Sequence, residues 1–258
     1  MDGSPELRRH PLKADPDALL RLLDLQAADT GLDRIAHRLR TLPEIARIAE
    51  LREVLSGIEG RIATAEAAVS DLQRAQARVD GDVEQVRARM ARDQQRLDAG
   101  TVSSPRELEQ LQHEIESLHR RQSTLEDEEL EIMGQVEEGE AGIAALRTEQ
   151  ADSRTALDES TGSRAAAEEQ AAIEAEGLRE TRAGLAEGLP ADLLKLYSKL
   201  REDGLSIAAA KLQRKTCQGC HMELPSTELA EVAAAAADEV VRCESCRAVL
   251  VRTPDSGL

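Results

Sequence analysis

Apolar residues recur along most of this chain with the alternating three- and four-residue step of a heptad seam. From Ile48 the step visits Ile48, Leu51, Leu55, Ile58, Ile62, Ala65, Val69, Leu72, Gln76, Val79, Val83, Val86, Met90, Asp93 and Leu97, and only Gln76 and Asp93 are polar. A stripe sustained over that many heptads predicts a helix that buries one edge against another helix. The step resumes at Leu108 and passes Leu111, Ile115, Leu118, Gln122, Leu125, Glu129, Ile132, Val136, Gly139, Ile143, Leu146, Gln150, Ser153 and Leu157. This second seam is more polar, and beyond Leu157 small residues such as Ala167 and Ala171 take over.

Between the seams lies LDAGTVSSPRE. Gly100 suits the end of one helix, and Ser104, Pro105 and Glu107 suit the cap and first turn of the next. Proline is tolerated there because its missing N–H would have no helical partner. The stretch therefore predicts the tip of a hairpin, near residues 99–105, whose arms fold back as an antiparallel coiled coil within one chain. The rival is a dimer of unbroken helices, and a monomer is expected. At ~1.5 Å per residue the arm Glu44–Ala99 would measure roughly 84 Å and the arm from Pro105 to about Glu187 roughly 125 Å. An upstream helix opens at Asp15-Pro16 and carries Leu25, Ala28, Leu32, Ile35, Leu39 and Leu42 up to a break at Pro43. It is expected to cover the excess length of the second arm as a third helix.

The pattern changes at Gly188-Leu189-Pro190, which places a boundary between a helical domain, 15–188, and a C-terminal domain, 190–253. ADLLKLYSKLRED predicts a short amphipathic helix with Leu193, Leu194, Tyr197 and Leu200 on one side. All four cysteines follow, as Cys217-Gln-Gly-Cys220 and Cys243-Glu-Ser-Cys246, with 22 residues between the pairs. Each pair can bend its backbone into a knuckle presenting two thiolates, and two knuckles complete a tetrahedral metal site. One structural Zn²⁺ is the expected ion; iron is the alternative for four thiolates, and disulfides suit a reduced intracellular chain poorly. PSTELAEVAAAAAD reads as a capped helix between the pairs, and EVVRC with RAVLVR as a β-hairpin around the second. That is the plan of a zinc ribbon, although His221 and Arg247 stand where a small residue usually follows each pair. The fold class is thus mainly α: a long antiparallel coiled-coil hairpin with an N-terminal third helix, then a small α+β zinc ribbon.

Composition supports stripes over a globular core. The 258 residues include no Phe, no Trp and one Tyr, yet 41% are hydrophobic and 32% charged. The net charge of −17 divides unevenly: −3 over 1–73, 0 over 74–121, −13 over 122–189 and −1 over 190–258. The acidic stem should repel phosphate backbones. No apolar run is long enough to span a membrane, and the opening residues lack the apolar stretch of a secretory signal, so a cytoplasmic protein is expected.

Three stretches, SPRELEQLQHEIESLHRRQSTLEDEEL, CQGCHMELP and VVRCESCRAVLVR, make the chain resemble the bacterial proteins built as a long coiled-coil hairpin followed by a four-cysteine zinc ribbon. The resemblance runs from about Asp15 to Arg252. It departs at Ser104, where many relatives carry Asn, and at Arg247, where Gly is typical. It implies an adaptor or regulator, since some members contact the nitrogen-type alternative sigma factor or a flagellin messenger RNA; a transcription-related partner is expected on that ground.

The expected function is therefore a non-enzymatic zinc-binding adaptor or regulator that docks proteins through the tip and the ribbon. At the tip, Arg106, His113 and Arg120 lie seven apart on one helix face with Arg121 beside them, whereas Leu111, Ile115 and Leu118 face the partner helix. The alternative is nucleic-acid binding through Lys211, Arg214, Lys215, Arg242, Arg247 and Arg252, but these six cations face seven acids within 204–258 and no aromatic stacking platform exists. His113 and His119, in HEIESLH, are spaced six apart and diverge by about 120° on a helix, so they cannot form a metalloprotease pair. No phosphate loop or nucleophile elbow is present, and no catalytic residue is assigned.

Overall fold

The structure, a computed structural model, describes residues 12–100, 102 and 104–258. The expectation for the opening stretch Met1–Pro11, and positions Thr101 and Ser103 of the tip, lie outside the described residues. By contact the described chain divides into Glu44–Gly162 and a second unit made of the residues up to Pro43 together with Ser163–Leu258.

In the first unit, α2 (Pro43–Asp98) runs antiparallel to the first part of α3 (Pro105–Glu187). Every predicted seam position except Leu108 is buried or half-buried, and Ile58, Val83 and Leu125 are almost completely removed from water. Leu108, in the first turn of α3, is 40% exposed. Flanking the seam, Arg61 reaches Glu149 at 3.2 Å, Arg87 reaches Glu126 at 2.9 Å, Arg147 reaches Glu66 at 2.8 Å, and Arg89 pairs with Glu114. Gly139 leaves room for Val69, since a Cβ there would lie 2.6 Å from Val69 Cγ2. At the tip Gly100 adopts the left-handed φ of +61° that ends α2. Ser104 Oγ accepts the Glu107 N–H at 3.2 Å and caps α3, as its sequence position implies.

In the second unit, α1 (Pro16–Arg40) begins at an Asp15 cap whose Oδ1 accepts the Asp17 N–H at 2.8 Å. One stretch of α1 lies along the end of α3, with Ile35 against Ala171, Ala175 and Leu178, and Arg38 paired with Glu174. This is the covering third helix that the seam lengths require. The other stretch does something the periodicity did not predict. Leu19, Leu22 and Leu25 pack against Leu193, Tyr197 and Leu200 of α4 (Ala191–Glu202) and against Ala208, Ala209, Val249 and Val251 of the C-terminal sheet.

That sheet contains β1 (Ala209–Gln213), β2 (Thr216–Cys217), β3 (Val241–Arg242) and β4 (Val249–Val251) in the order β2-β1-β4-β3. β1 and β4 are parallel; the two outer pairings are antiparallel, and Val241 opposite Leu250 forms the expected hairpin around the second cysteine pair. Between the pairs lies α5 (Ser226–Ala234). Its cap differs from expectation: Pro225 occupies the N-cap position and no side chain caps the helix. Proline's fixed φ presets entry into the first turn without one.

A buried polar cluster joins these parts. Gln26 Oε1 accepts the N–H groups of Ala208 and Ala209 at 2.7 and 3.2 Å, and its Nε2 donates to the Ser206 carbonyl at 3.1 Å. Asp29 accepts from Arg182 at 2.6 Å and from the Tyr197 hydroxyl at 2.7 Å.

Candidate metal centre

Cys217 ends β2, and Cys243 follows β3 directly, so two strand ends deliver the first cysteine of each pair. The backbone then repeats one pattern twice. Cys217 N–H donates to the Met222 carbonyl and His221 N–H returns to the Cys217 carbonyl, at 3.0 and 2.8 Å; Cys243 with Ala248 and Arg247 with Cys243 do the same at 2.9 and 2.8 Å. Closing each loop requires a left-handed residue after the second cysteine. His221 and Arg247 take φ of +58° and +66°, at a cost of roughly 1–2 kcal/mol each that glycine would not incur. Both side chains are exposed and neither joins the cysteines.

The four Sγ atoms lie within 4.8 Å of one another, with Cys217 to Cys246 and Cys220 to Cys243 both 3.9 Å apart. A tetrahedral Zn–S₄ centre with bonds of ~2.3 Å places its sulfurs about 3.8 Å apart, so the site fits zinc in size and donor type. Burial is the main influence on the thiols: it raises that of Cys217, and that of Cys246 to about 12. Cys220 is the exception; burial opposes ionisation, but the Met222 N–H and the neighbouring thiols together hold it below the usual thiol range. A bound dication would supply the charge that favours the thiolate form of Cys217, Cys220, Cys243 and Cys246. With all four as ligands its shell would be closed, as in structural zinc sites.

The residue inside each knuckle is also held. Gln218 N–H donates to the Lys211 carbonyl of β1 at 3.0 Å. Glu244 N–H has no strand carbonyl equivalent and donates instead to Glu228 Oε1, also at 3.0 Å. Glu228 is 5% exposed and lies in the first turn of α5, so the helix between the pairs is part of the metal site. Sequence reasoning passed over Glu228; its only signal was a carboxylate three residues after Pro225 at a helix start.

The basic residues near the ribbon have divided roles. Lys211 pairs with Asp255 at 2.8 Å, and Arg242 Nε donates to the Arg247 carbonyl at 2.8 Å. Arg252 donates to the carbonyls of Val232, Ala235, Ala236, Ala237 and Glu239, closing the end of α5. Arg214 and Lys215 form the exposed β1–β2 turn with φ of +46° and +65°. At the hairpin tip, Arg106, His113, Arg120 and Arg121 are exposed; His113 lies 3.8 Å from Glu116, and no carboxylate partner is found for the three arginines among the described residues.

A helical hairpin joined to a four-cysteine knuckle pair defines a coiled-coil zinc-ribbon protein. The chain belongs to the family described by the CT398-like coiled coil hairpin domain, matched over residues 25–205, with a C4-type zinc ribbon domain matched over 216–250. An uncharacterized protein of Mycobacterium tuberculosis is 35% identical over 238 residues, covering 90% of this chain and 94% of that protein. One of Mycobacterium leprae is 26% identical, covering 83% and 91%. A solved structure from Mycobacterium smegmatis, 32% identical, aligns with a TM-score of 0.81 over 94% of this chain and all of that one, 100%. The structure of CT398 from Chlamydia trachomatis shares the fold at 18% identity, with a TM-score of 0.64 over 92% of this chain and 98% of its own. Among the described residues no helix is long and apolar enough to cross a membrane.

Proposed function

We propose that this chain is a non-enzymatic zinc-binding adaptor or regulator that docks protein partners through the hairpin tip, with the ribbon as a second docking surface. The observation that carries this reading is a set of unmatched arginines in the segment 74–121, whose net charge is zero beside the −13 of the stem that follows it. Arg106, Arg120 and Arg121 are exposed and have no carboxylate partner among the described residues; Arg61, Arg87, Arg89 and Arg147 meet a glutamate across the seam, while Arg52, Arg78, Arg92 and Arg154 are unmatched as well. Stabilising the hairpin does not require them. Arginine in such a setting is well suited to bidentate contacts with carboxylates. The ribbon's zinc is structural and its metal-binding energy maintains the fold of the C-terminal domain. A transcription-related partner follows from the family resemblance alone. Cytoplasmic residence fits four free cysteines.

The test replaces Arg106, His113 and Arg120 together by Ser. Helical content and zinc should stay at wild-type levels while cross-linking in cells loses the protein partners of the wild type. Recovery of the same partners from the variant would reduce the tip to a turn.

A further inference from the structure

The last turns of α1 carry a second set of unmatched basic side chains. Arg34, His37 and Arg40 are exposed, and none has a carboxylate partner among the described residues. They stand along one wall of an open cleft of about 680 Å³, whose other wall is the loop 204–207 that follows α4. Half-buried Leu205 and Ile207 give that loop an apolar surface. Asp33 is the carboxylate in the lining, and it is committed: both of its oxygens accept from Arg201 Nη2, at 3.0 and 2.8 Å. Arg201 Nη1 in turn donates to the carbonyls of Leu205 and Ser206, at 3.1 and 2.6 Å, which fixes the loop against α1. The uncommitted charge of the cleft is therefore positive, in a chain whose net charge is −17.

Complementing the α1 dipole would account for His37 and Arg40 in the last turn. It does not account for Arg34, which lies further back, or for the apolar wall opposite. A cationic wall facing an aliphatic one fits an extended peptide whose acidic side chains turn one way and whose aliphatic side chain turns the other. A nucleic-acid strand fits less well, because its bases would find no aromatic platform here: the chain's one tyrosine, Tyr197, is fully buried.

We propose that this cleft docks an acidic peptide segment of a protein partner, with carboxylates on Arg34 and Arg40 and an aliphatic side chain against Leu205 and Ile207. The proposal does not depend on docking at the hairpin tip.

The test uses the full-length, zinc-loaded protein and a labelled peptide in which one leucine is flanked by glutamates, followed by fluorescence anisotropy. Binding should weaken with salt, weaken when the leucine is changed to serine, and fall roughly fivefold to tenfold in an Arg34→Gln, Arg40→Gln variant of unchanged helicity and zinc content. The tip variant, with Arg106, His113 and Arg120 changed to Ser, should bind this peptide as wild type does, which separates the two surfaces. Equal binding by the cleft variant, no binding by wild type, or tighter binding of a single-stranded oligonucleotide than of the peptide would overturn the proposal. So would a wild-type dimer in sedimentation that the cleft variant loses, because the acidic stem of a second copy would then be the occupant.

Discussion

The hydroxyl of Tyr197 donates to Asp29 Oδ2 at 2.7 Å, across 168 positions of sequence, and the other carboxylate oxygen accepts from Arg182 at 2.6 Å. Three helices thereby share one buried carboxylate. Tyr197→Phe removes one donor and should cost roughly 1–2 kcal/mol, while Asp29→Ala takes the shared carboxylate from both the guanidinium and the phenol, which keeps only a 3.4 Å contact to Gln26 Oε1, and should cost more. Thermal unfolding of the two variants checks the order.

Burial, then the Asp29 hydrogen bond, pushes the Tyr197 phenol well above its usual range. A pKa raised by folding contributes stability that is complete below the unfolded value of ~10 and is lost as pH rises beyond it. Since Tyr197 is the chain's one tyrosine and there is no Trp, tyrosinate absorbance reports this residue alone. In an alkaline titration tyrosinate should appear together with loss of the α1–ribbon packing; a free titration near pH ~10 with the structure intact would contradict the buried pair.

Removing the metal should affect more than the cysteine loops. A Cys217→Ser, Cys243→Ser variant, or chelation of the wild type, should abolish stoichiometric zinc and unfold the ribbon, because metal binding and folding are one equilibrium in so small a unit. Amides of Leu22 and Leu25, which pack on the ribbon side of α1, should then lose protection from hydrogen exchange, while those of Val79 and Val83 in the hairpin should keep it.

Glu228 supplies a separate test of the centre. Glu228→Ala leaves the Glu244 N–H without its acceptor and should speed zinc transfer to a chelator by about 10- to 100-fold. Glu228→Gln retains a carbonyl acceptor and should restore most of the retention. If Ala and Gln variants release zinc alike, the hydrogen bond is not what holds the second knuckle.

Two glycines of α3 separate helix propensity from packing. A Cβ at Gly134 meets nothing within 4 Å, so Gly134→Ala should stabilise the hairpin by about 1 kcal/mol. Gly139→Ala should fall short of that gain, because its Cβ would lie 2.6 Å from Val69 Cγ2. Equal shifts in melting temperature would argue against this register of α2 and α3.

The hairpin was legible because its information is local and repeated. Each heptad position from Ile48 to Leu97 lies on the face turned to the partner helix, so one rule finds them all, and Ser104-Pro105 marks a helix start by chemistry that needs no distant partner. Leu108 breaks the rule because it lies in the turn next to the tip, with too little facing helix to cover it. The cysteine spacing was legible for the same local reason. The packing of Leu22 and Leu25 on Val249 and Val251 was not, since nothing in an apolar stripe says which of two apolar surfaces it will cover. Gln26 and Asp29 were passed over as polar residues beside that stripe; their acceptors and donors lie at Tyr197, Arg182 and Ala208, beyond the reach of any short window. Glu228 escaped in the same way, because an acidic residue in a first turn already has a sufficient explanation in the helix dipole.

The alliance of α1 with the C-terminal sheet has a consequence during synthesis. Leu22 and Leu25 leave the ribosome well before Val249 and Val251, against which they finally pack. At ~5–20 residues per second the interval is roughly ten to forty-five seconds, and it lengthens by whatever time the cysteines wait for their ion. Until the sheet is made the leucine stripe lacks part of its cover, so metal scarcity would be felt first as a longer dependence on chaperones.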